Sequence, residues 1–159
     1  MSESSRRAAA AKALLLLLAR LGIAGLFLYA GVMKALDPAA FAQEIANFRI
    51  LPEPLIGPLA LFLPAIEVFA GLALLLPGYR AGGALLTGAM LLGFSIAMAQ
   101  ARMRGIDVEC GCFGASSASQ VSWEKVAQDL ALAMLSFWIL REELPKLRAT
   151  AASPAPEQA

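Results

Sequence analysis

The stretch LFLPAIEVFAGLALLLPG, Leu61 to Gly78, decides how this chain folds. It carries a single charged side chain, Glu67, and its apolar positions run on without the alternation of a half-buried strand. Extended upstream to Leu55, it reaches the about 20 residues that cross a bilayer as a helix. Similar runs elsewhere give four spans in all: Ala13 to Met33, Leu55 to Pro77, Ala81 to Arg102 and Trp123 to Leu140. An open sheet in lipid would leave its edge amides unpaired, and barrel strands alternate, so these spans are helices. The expected fold is an all-α integral membrane protein, a four-transmembrane-helix bundle over residues 13–142. A cytoplasmic segment (1–12) precedes it and a disordered Ala/Pro-rich cytoplasmic tail (143–159) follows.

Composition agrees. Of the 159 residues, 59% are hydrophobic and 16% charged, outside the range of an ordinary soluble domain. The net charge of +1, with no basic stripe, argues against nucleic acid as a partner and leaves the lipid bilayer as the first one. The chain has no histidine, which excludes a histidine base, a Ser/His/Asp triad and any His-ligated metal. Chemistry here must come from cysteine, carboxylate or a bound cofactor. The basic start and leucine run of the first span resemble a cleavable signal. Arg20 interrupts that run and apolar character continues to Met33, so a retained helix is expected.

Lysine and arginine placement gives the orientation. Arg6, Arg7, Lys12, Arg20, Arg80, Arg141, Lys146 and Arg148, eight of thirteen basic residues, fall on the side of the termini. Lys34, Arg49, Arg102, Arg104 and Lys125 fall on the other, with Lys34 at the interface. Both termini are therefore expected in the cytoplasm of a bacterial inner membrane, with the loops Lys34 to Pro54 and Met103 to Ser122 outside. In the first loop, Asp37 is an N-cap and Pro38 the first helical residue. Phe41, Ile45 and Phe48 share one face of this short amphipathic interfacial helix. Small residues at four-residue spacing in the third span, Ala84 with Gly88 and Ala89 with Gly93, suit close helix packing.

The second loop holds both cysteines, Cys110 and Cys112, in DVECGCFG. Three uses are open to them: a disulfide, a soft-metal site such as copper(I), or two inert thiols. A zinc site lacks ligands. A disulfide across Gly111 closes a tight ring, and strained or exposed disulfides exchange readily. Asp107 and Glu109 disfavour the thiolate, whereas Arg102 and Arg104 favour it. The outer face is also the oxidising one, where disulfides persist.

A carboxylate at mid-span is costly, so Glu67 must be paired, protonated or functional. With the span ends set level, Arg20 lies within about 4 to 5 Å of its depth and is its expected partner. The sharper reading makes the pair a polar anchor for a quinone or another small molecule.

LARLGIAGLFLYAGVMKALDPAAFAQEIANFRILP, LPAIEVFAGLALLLPG and GIDVECGCFG, in that order, resemble the MauE family, related to the DoxX-like group. Arg20, Gly31, Lys34, Glu67, Gly71, Cys110, Gly111, Cys112, Phe113 and Gly114 fall on positions the family pattern uses. The resemblance implies a redox-associated four-helix membrane protein acting beside a periplasmic thioredoxin-like protein. It also implies a role in maturing the disulfide-rich subunit of methylamine dehydrogenase, and the DoxX-like relatives imply a quinone link. Membrane disulfide generators use two cysteine pairs, and this chain has one, so a complete internal relay is absent. The expectation is a thiol/disulfide exchange protein using Cys110 and Cys112, in activity a thiol–disulfide oxidoreductase. Its rivals are a scaffold with incidental cysteines and a copper carrier.

Overall fold

In a computed structural model, residues 3–106, 109–110, 119–120 and 122–152 are described. Five helices follow in order: α1 (Glu3–Leu36), α2 (Pro38–Asn47), α3 (Glu53–Leu75), α4 (Arg80–Met103) and α5 (Trp123–Ala152). The one extended pairing among the described residues is a two-residue antiparallel ladder between β1 (Glu109–Cys110) and β2 (Ser119–Gln120). Helices α1, α3 and α4 are each long and apolar enough to cross a membrane. Helix α5 contains the fourth expected span, but Lys125 and Asp129 near one end and Arg141, Glu142 and Glu143 near the other shorten its uncharged stretch. The helical limits also differ from the sequence reading, since α1 already begins at Glu3 and α5 continues to Ala152.

The polarity of the bundle is that of a protein in lipid. Leu61, Phe62 and Phe69 are 64–66% exposed, whereas Glu67, Thr87 and Ser136 are at most 1% exposed. Water would reverse that distribution. The interior is built from small residues and aliphatics, with Ala24, Ala70, Leu74, Ala84, Ala133 and Ile139 in one continuous cluster.

Close approach at glycine sets the register. A Cβ on Gly31 of α1 would stand 2.9 Å from the Pro64 carbonyl oxygen and 2.8 Å from Val68 Cγ2 of α3. Further along the same seam, a Cβ on Gly71 would meet the Ala24 carbonyl oxygen at 3.1 Å. The two helices are thus antiparallel and nearly in backbone contact, the packing that small residues permit in membranes. Of the two small-residue pairs in α4, Ala84 and Gly88 face inward, with the Phe137 ring against Gly88. Ala89 and Gly93 face outward, and Gly93 has open space beside it. The Thr87 hydroxyl joins α4 to α5, lying 3.4 Å from Ser136 Oγ while donating to the Gly83 carbonyl at 2.9 Å.

Helix α2 starts as expected: Asp37 Oδ1 accepts from the Ala40 amide at 2.9 Å, and Pro38 opens the helix. It packs on α3, whose first turns overhang the end of α1, since Gly31 near that end already stands opposite Pro64 and Val68.

Candidate functional site

Two charged side chains meet inside this apolar bundle. Lys34, two residues before the end of α1, is 8% exposed, and Glu67, in α3, is 1% exposed. Lys34 Nζ donates to Glu67 Oε1 at 2.5 Å. The ammonium also lies 5.1 Å from the ring centroids of both Phe41 and Phe94, within cation–π range. One cation is therefore held by a carboxylate and two aromatic faces, which offsets the loss of its hydration.

This arrangement corrects the expected partnership of Arg20 with Glu67. Arg20 instead bonds Glu143 Oε1 of α5 at 3.2 Å, and Lys12 pairs with Glu142 at 2.8 Å, so these bridges close α1 on α5 near the chain ends. The expectation assumed that the first two spans end level. Because α3 overhangs α1, Glu67 stands opposite Gly31, and Lys34 lies about 21 Å along α1 from Arg20. Lys34, expected at the interface, turns inward to meet it.

Lys34 borders two cavities. One, of about 240 Å³, is an apolar chamber walled by Phe41, Ile45 and Phe48 of α2, Leu59 and Leu63 of α3, and Phe94 of α4. The Phe41/Ile45/Phe48 face read from sequence is thus the roof of a chamber. Glu44 also lines it, and burial pushes that carboxyl above its ordinary range, partly offset by Lys34. The other cavity, of about 50 Å³, has mainly apolar walls, among them Phe27, Ala30, Leu91 and Leu132, into which charged and amide groups converge: Lys34 and Glu67 with Lys125, Gln128 and Asp129 of α5. Asp129 gives no signal in the sequence because it lies at the polar start of the span, after Gln128 and four residues from the cation Lys125, a pattern shared with solvated helix faces.

The cysteine-bearing segment leaves the bundle at this same end. Helix α4 stops at Met103, about 14 Å along the axis from Phe94, and Gly105 turns the chain with φ of +66°. Arg104 donates to the carbonyl oxygen of Arg49 at 3.2 Å, tying the turn to the α2–α3 connection. Ile106 and Phe48 pack on Met98, Ala101 and Val126. The root of the hairpin is therefore fixed over the chamber roof. The backbone of Cys110 pairs with Ser119 in the β1–β2 ladder. Gly111, Cys112, Phe113 and Gly114 lie outside the described residues. Among the described residues no group of three or more His, Cys, Asp or Glu side chains is arranged to hold a metal ion. The chamber, with one ammonium in apolar and aromatic walls, suits a flat apolar molecule bearing a hydrogen-bond acceptor.

Comparison with known proteins places these features in a lineage. The family described as methylamine utilisation protein MauE matches residues 12–141. A methylamine utilization protein MauE of Paracoccus denitrificans is 32% identical over 121 residues, covering 76% of this chain and 65% of that protein. Its counterpart in Methylophilus methylotrophus is 33% identical over 112 residues, covering 69% and 59%, and that of Methylorubrum extorquens is 31% identical over 115 residues, covering 70% and 62%. The chain thus spans about three fifths of the length of these relatives. No solved structure gives a significant match. The family's match covers most of the chain, including Lys34, Glu67, Asp129 and the cysteine hairpin, and the chain belongs to the MauE family.

Proposed function

We propose that this protein is a thiol/disulfide redox component of the bacterial inner membrane. Its Cys110/Cys112 pair exchanges with a periplasmic thioredoxin-like partner, in support of the maturation of a disulfide-containing protein such as methylamine dehydrogenase. The observation that supports this reading is the point at which the chain departs toward the cysteines. The segment that leads to them departs from the end of the bundle that holds the Lys34–Glu67 pair and the apolar chamber, where Arg104 and Ile106 are held. In this reading α5 supplies a fourth crossing and both termini are cytoplasmic. The names of the relatives support methylamine utilisation as the setting.

In the oxidising direction, a partner thiolate attacks one sulfur of the Cys110–Cys112 disulfide, and the other sulfur leaves as a thiolate that takes up a proton. The second partner thiolate then attacks the mixed disulfide, leaving the partner oxidised and both cysteines reduced. With a single cysteine pair, an acceptor must reoxidise the same two thiols. A quinone fits the chamber: the walls of Phe41, Leu63 and Phe94 suit its ring, and the Lys34 ammonium suits a carbonyl oxygen. When bound, such a group supplies an acceptor for two electrons and two protons. Lys34 would hold it in place, and Glu67 would keep Lys34 charged and directed.

Thiol trapping in intact cells tests the proposal. After acid quench, alkylation with a mass-shifting maleimide, with and without prior reduction, is compared between the native chain and the Cys110→Ser and Cys112→Ser variants. Mixed oxidised and reduced forms, with one variant caught in a covalent complex with a second protein, are the expected result. A pair that stays wholly reduced in every growth condition, with nothing trapped, refutes it.

A further inference from the structure

We propose that the small cavity where these charged groups converge is a water-filled proton-exchange site, in which a short chain of waters joins Glu67 to Asp129. The inference stands on the cavity and does not depend on the role of the cysteines. Its first support is an unmet requirement. Glu67 is 1% exposed, its Oε1 is taken by Lys34, and its Oε2 is buried without a protein hydrogen-bond partner among the described residues. An isolated carboxylate oxygen in that position costs several kcal/mol, roughly the figure for other unpaired buried polar groups. Glu67 lines the cavity, so water there can satisfy it.

Room and partners are both present. A water needs roughly 10–15 Å³ of such volume and two to four polar neighbours, so about 50 Å³ admits a chain of about three. Lys34, Glu67, Lys125, Gln128 and Asp129 provide the neighbours. A wholly apolar cavity of this size stays dry; here most of the wall is apolar, but four charged groups, an amide and the unpartnered Glu67 oxygen supply the partners that water needs. The charges facing it come from three helices: Lys34 of α1, Glu67 of α3, and Lys125 and Asp129 of α5. Helix α4 contributes only Leu91, Phe94 and Met98, while Glu44 of α2 acts on Lys34 from the chamber. Two ammonium groups and two carboxylates balance, so no additional ion is required. Proton exchange then leaves the electron count unchanged. The O–H bond of a transiently protonated Asp129 breaks, its proton passes along the waters, and an O–H bond forms on Glu67 Oε2, the oxygen that Lys34 does not hold; the reverse step restores both carboxylates.

Direction follows from exposure. Glu67 is enclosed, Asp129 is half-buried, and Gln128 beside it is exposed. The chain of groups therefore leads from the Lys34–Glu67 pair toward the first turns of α5, the end where the cysteine hairpin joins the bundle. Redox chemistry of thiols moves protons as well as electrons, and this site would supply or remove them.

The test uses the full chain in lipid nanodiscs. Radiolytic hydroxyl footprinting labels side chains next to trapped water. Phe27 and Leu91 line the cavity at 2% and 3% exposure, whereas Leu74 and Ile139, at 0%, do not line it. Labelling of Phe27 and Leu91 at least threefold above Leu74 and Ile139 is expected, falling to their level in Gln128→Leu, a change at an exposed position that leaves the fold intact. Infrared titration of the carboxyl bands then tests exchange. In Asp129→Asn the midpoint of Glu67 should move by at least one pH unit, a tenfold change in proton affinity, with the reciprocal change in Glu67→Gln. Equal silence of all four apolar residues overturns the water chain. Labelled residues with independent carboxyl midpoints overturn the exchange.

Discussion

Replacing Lys34 with methionine should be among the costliest single changes in the bundle, and replacing its partner as well should recover most of that cost. At the observed 2.5 Å, the attraction between unit charges is about 7 kcal/mol for an effective dielectric constant near 20. Burial of each ion costs several kcal/mol, so the pair as a whole stabilises little, but removing one partner leaves the other buried and unmatched. We expect Lys34→Met alone to destabilise by about 3–5 kcal/mol, with Glu67→Leu alone similar. Lys34→Met with Glu67→Leu should lie within about 2 kcal/mol of the native chain, because apolar replacement of a whole buried pair is often neutral. The coupling energy, about 4 kcal/mol or more, is the quantity to measure. Reversible unfolding in mixed micelles, followed by circular dichroism as the fraction of denaturing detergent rises, provides it. If the double variant loses the sum of the two single losses, Lys34 and Glu67 do not meet in the folded protein and the account of both cavities fails with them.

Other outcomes follow from the same geometry. Gly31→Ala places a methyl group 2.8–2.9 Å from Val68 and the Pro64 carbonyl and should destabilise by about 1–3 kcal/mol in the same assay, whereas Gly93→Ala, facing open space, should be neutral or stabilise by up to about 1 kcal/mol. Burial raises the Glu44 carboxyl, so the folded state holds that proton more tightly than the unfolded chain does; its contribution is present at low pH and is lost as pH rises from the ordinary carboxylate range through the raised value. Glu44→Gln should remove this slope from a plot of unfolding midpoint against pH. Arg20→Ala should destabilise by removing the guanidinium bonded to Glu143, which is 6% exposed, and by more than Lys12→Ala at the half-exposed Lys12–Glu142 pair, which should cost less than about 1 kcal/mol.

Much of this fold is local and was legible. Long apolar runs identify the helices, Asp37-Pro38 starts α2 where capping chemistry requires it, and Phe41, Ile45 and Phe48 share a face because their spacing is helical. Partnership between helices was less legible. The depth of Glu67 along its own span was readable, but its partner depended on how far α3 overhangs α1, which is set by the Gly31 and Gly71 contacts and the α2 connection. The same spacing of small residues also made Ala89 and Gly93 resemble Ala84 and Gly88, although only the latter pair meets another helix. Periodicity gives a face and leaves open what the face touches. Asp129 illustrates the limit from the other side, since only the convergence of α1, α3 and α5 turns a carboxylate four residues from a lysine into part of a buried cluster.

The charged ends of α5, which exclude it from a simple hydropathy measure, are also the best argument for a fourth crossing. Lys12 and Arg20 of α1 are bound to Glu142 and Glu143, so this part of α5 shares a level with the first half of α1. The opposite part of α5, around Val126, packs on Met98 and Ala101 of α4 beside the root of the cysteine hairpin. Helix α5 must therefore traverse the depth that α4 traverses, in the reverse direction. Lys125 and Asp129 face the small cavity and Glu143 faces Arg20, so three of the charges that lower its mean hydropathy are matched inside the bundle. Composition counts a charge as a cost to insertion wherever it lies, whereas lipid meets only the outward side. A helix whose charges are answered by its neighbours can cross alongside them, and in the proposed four-crossing arrangement α5 would put Trp123 and Glu143 at opposite faces of the membrane.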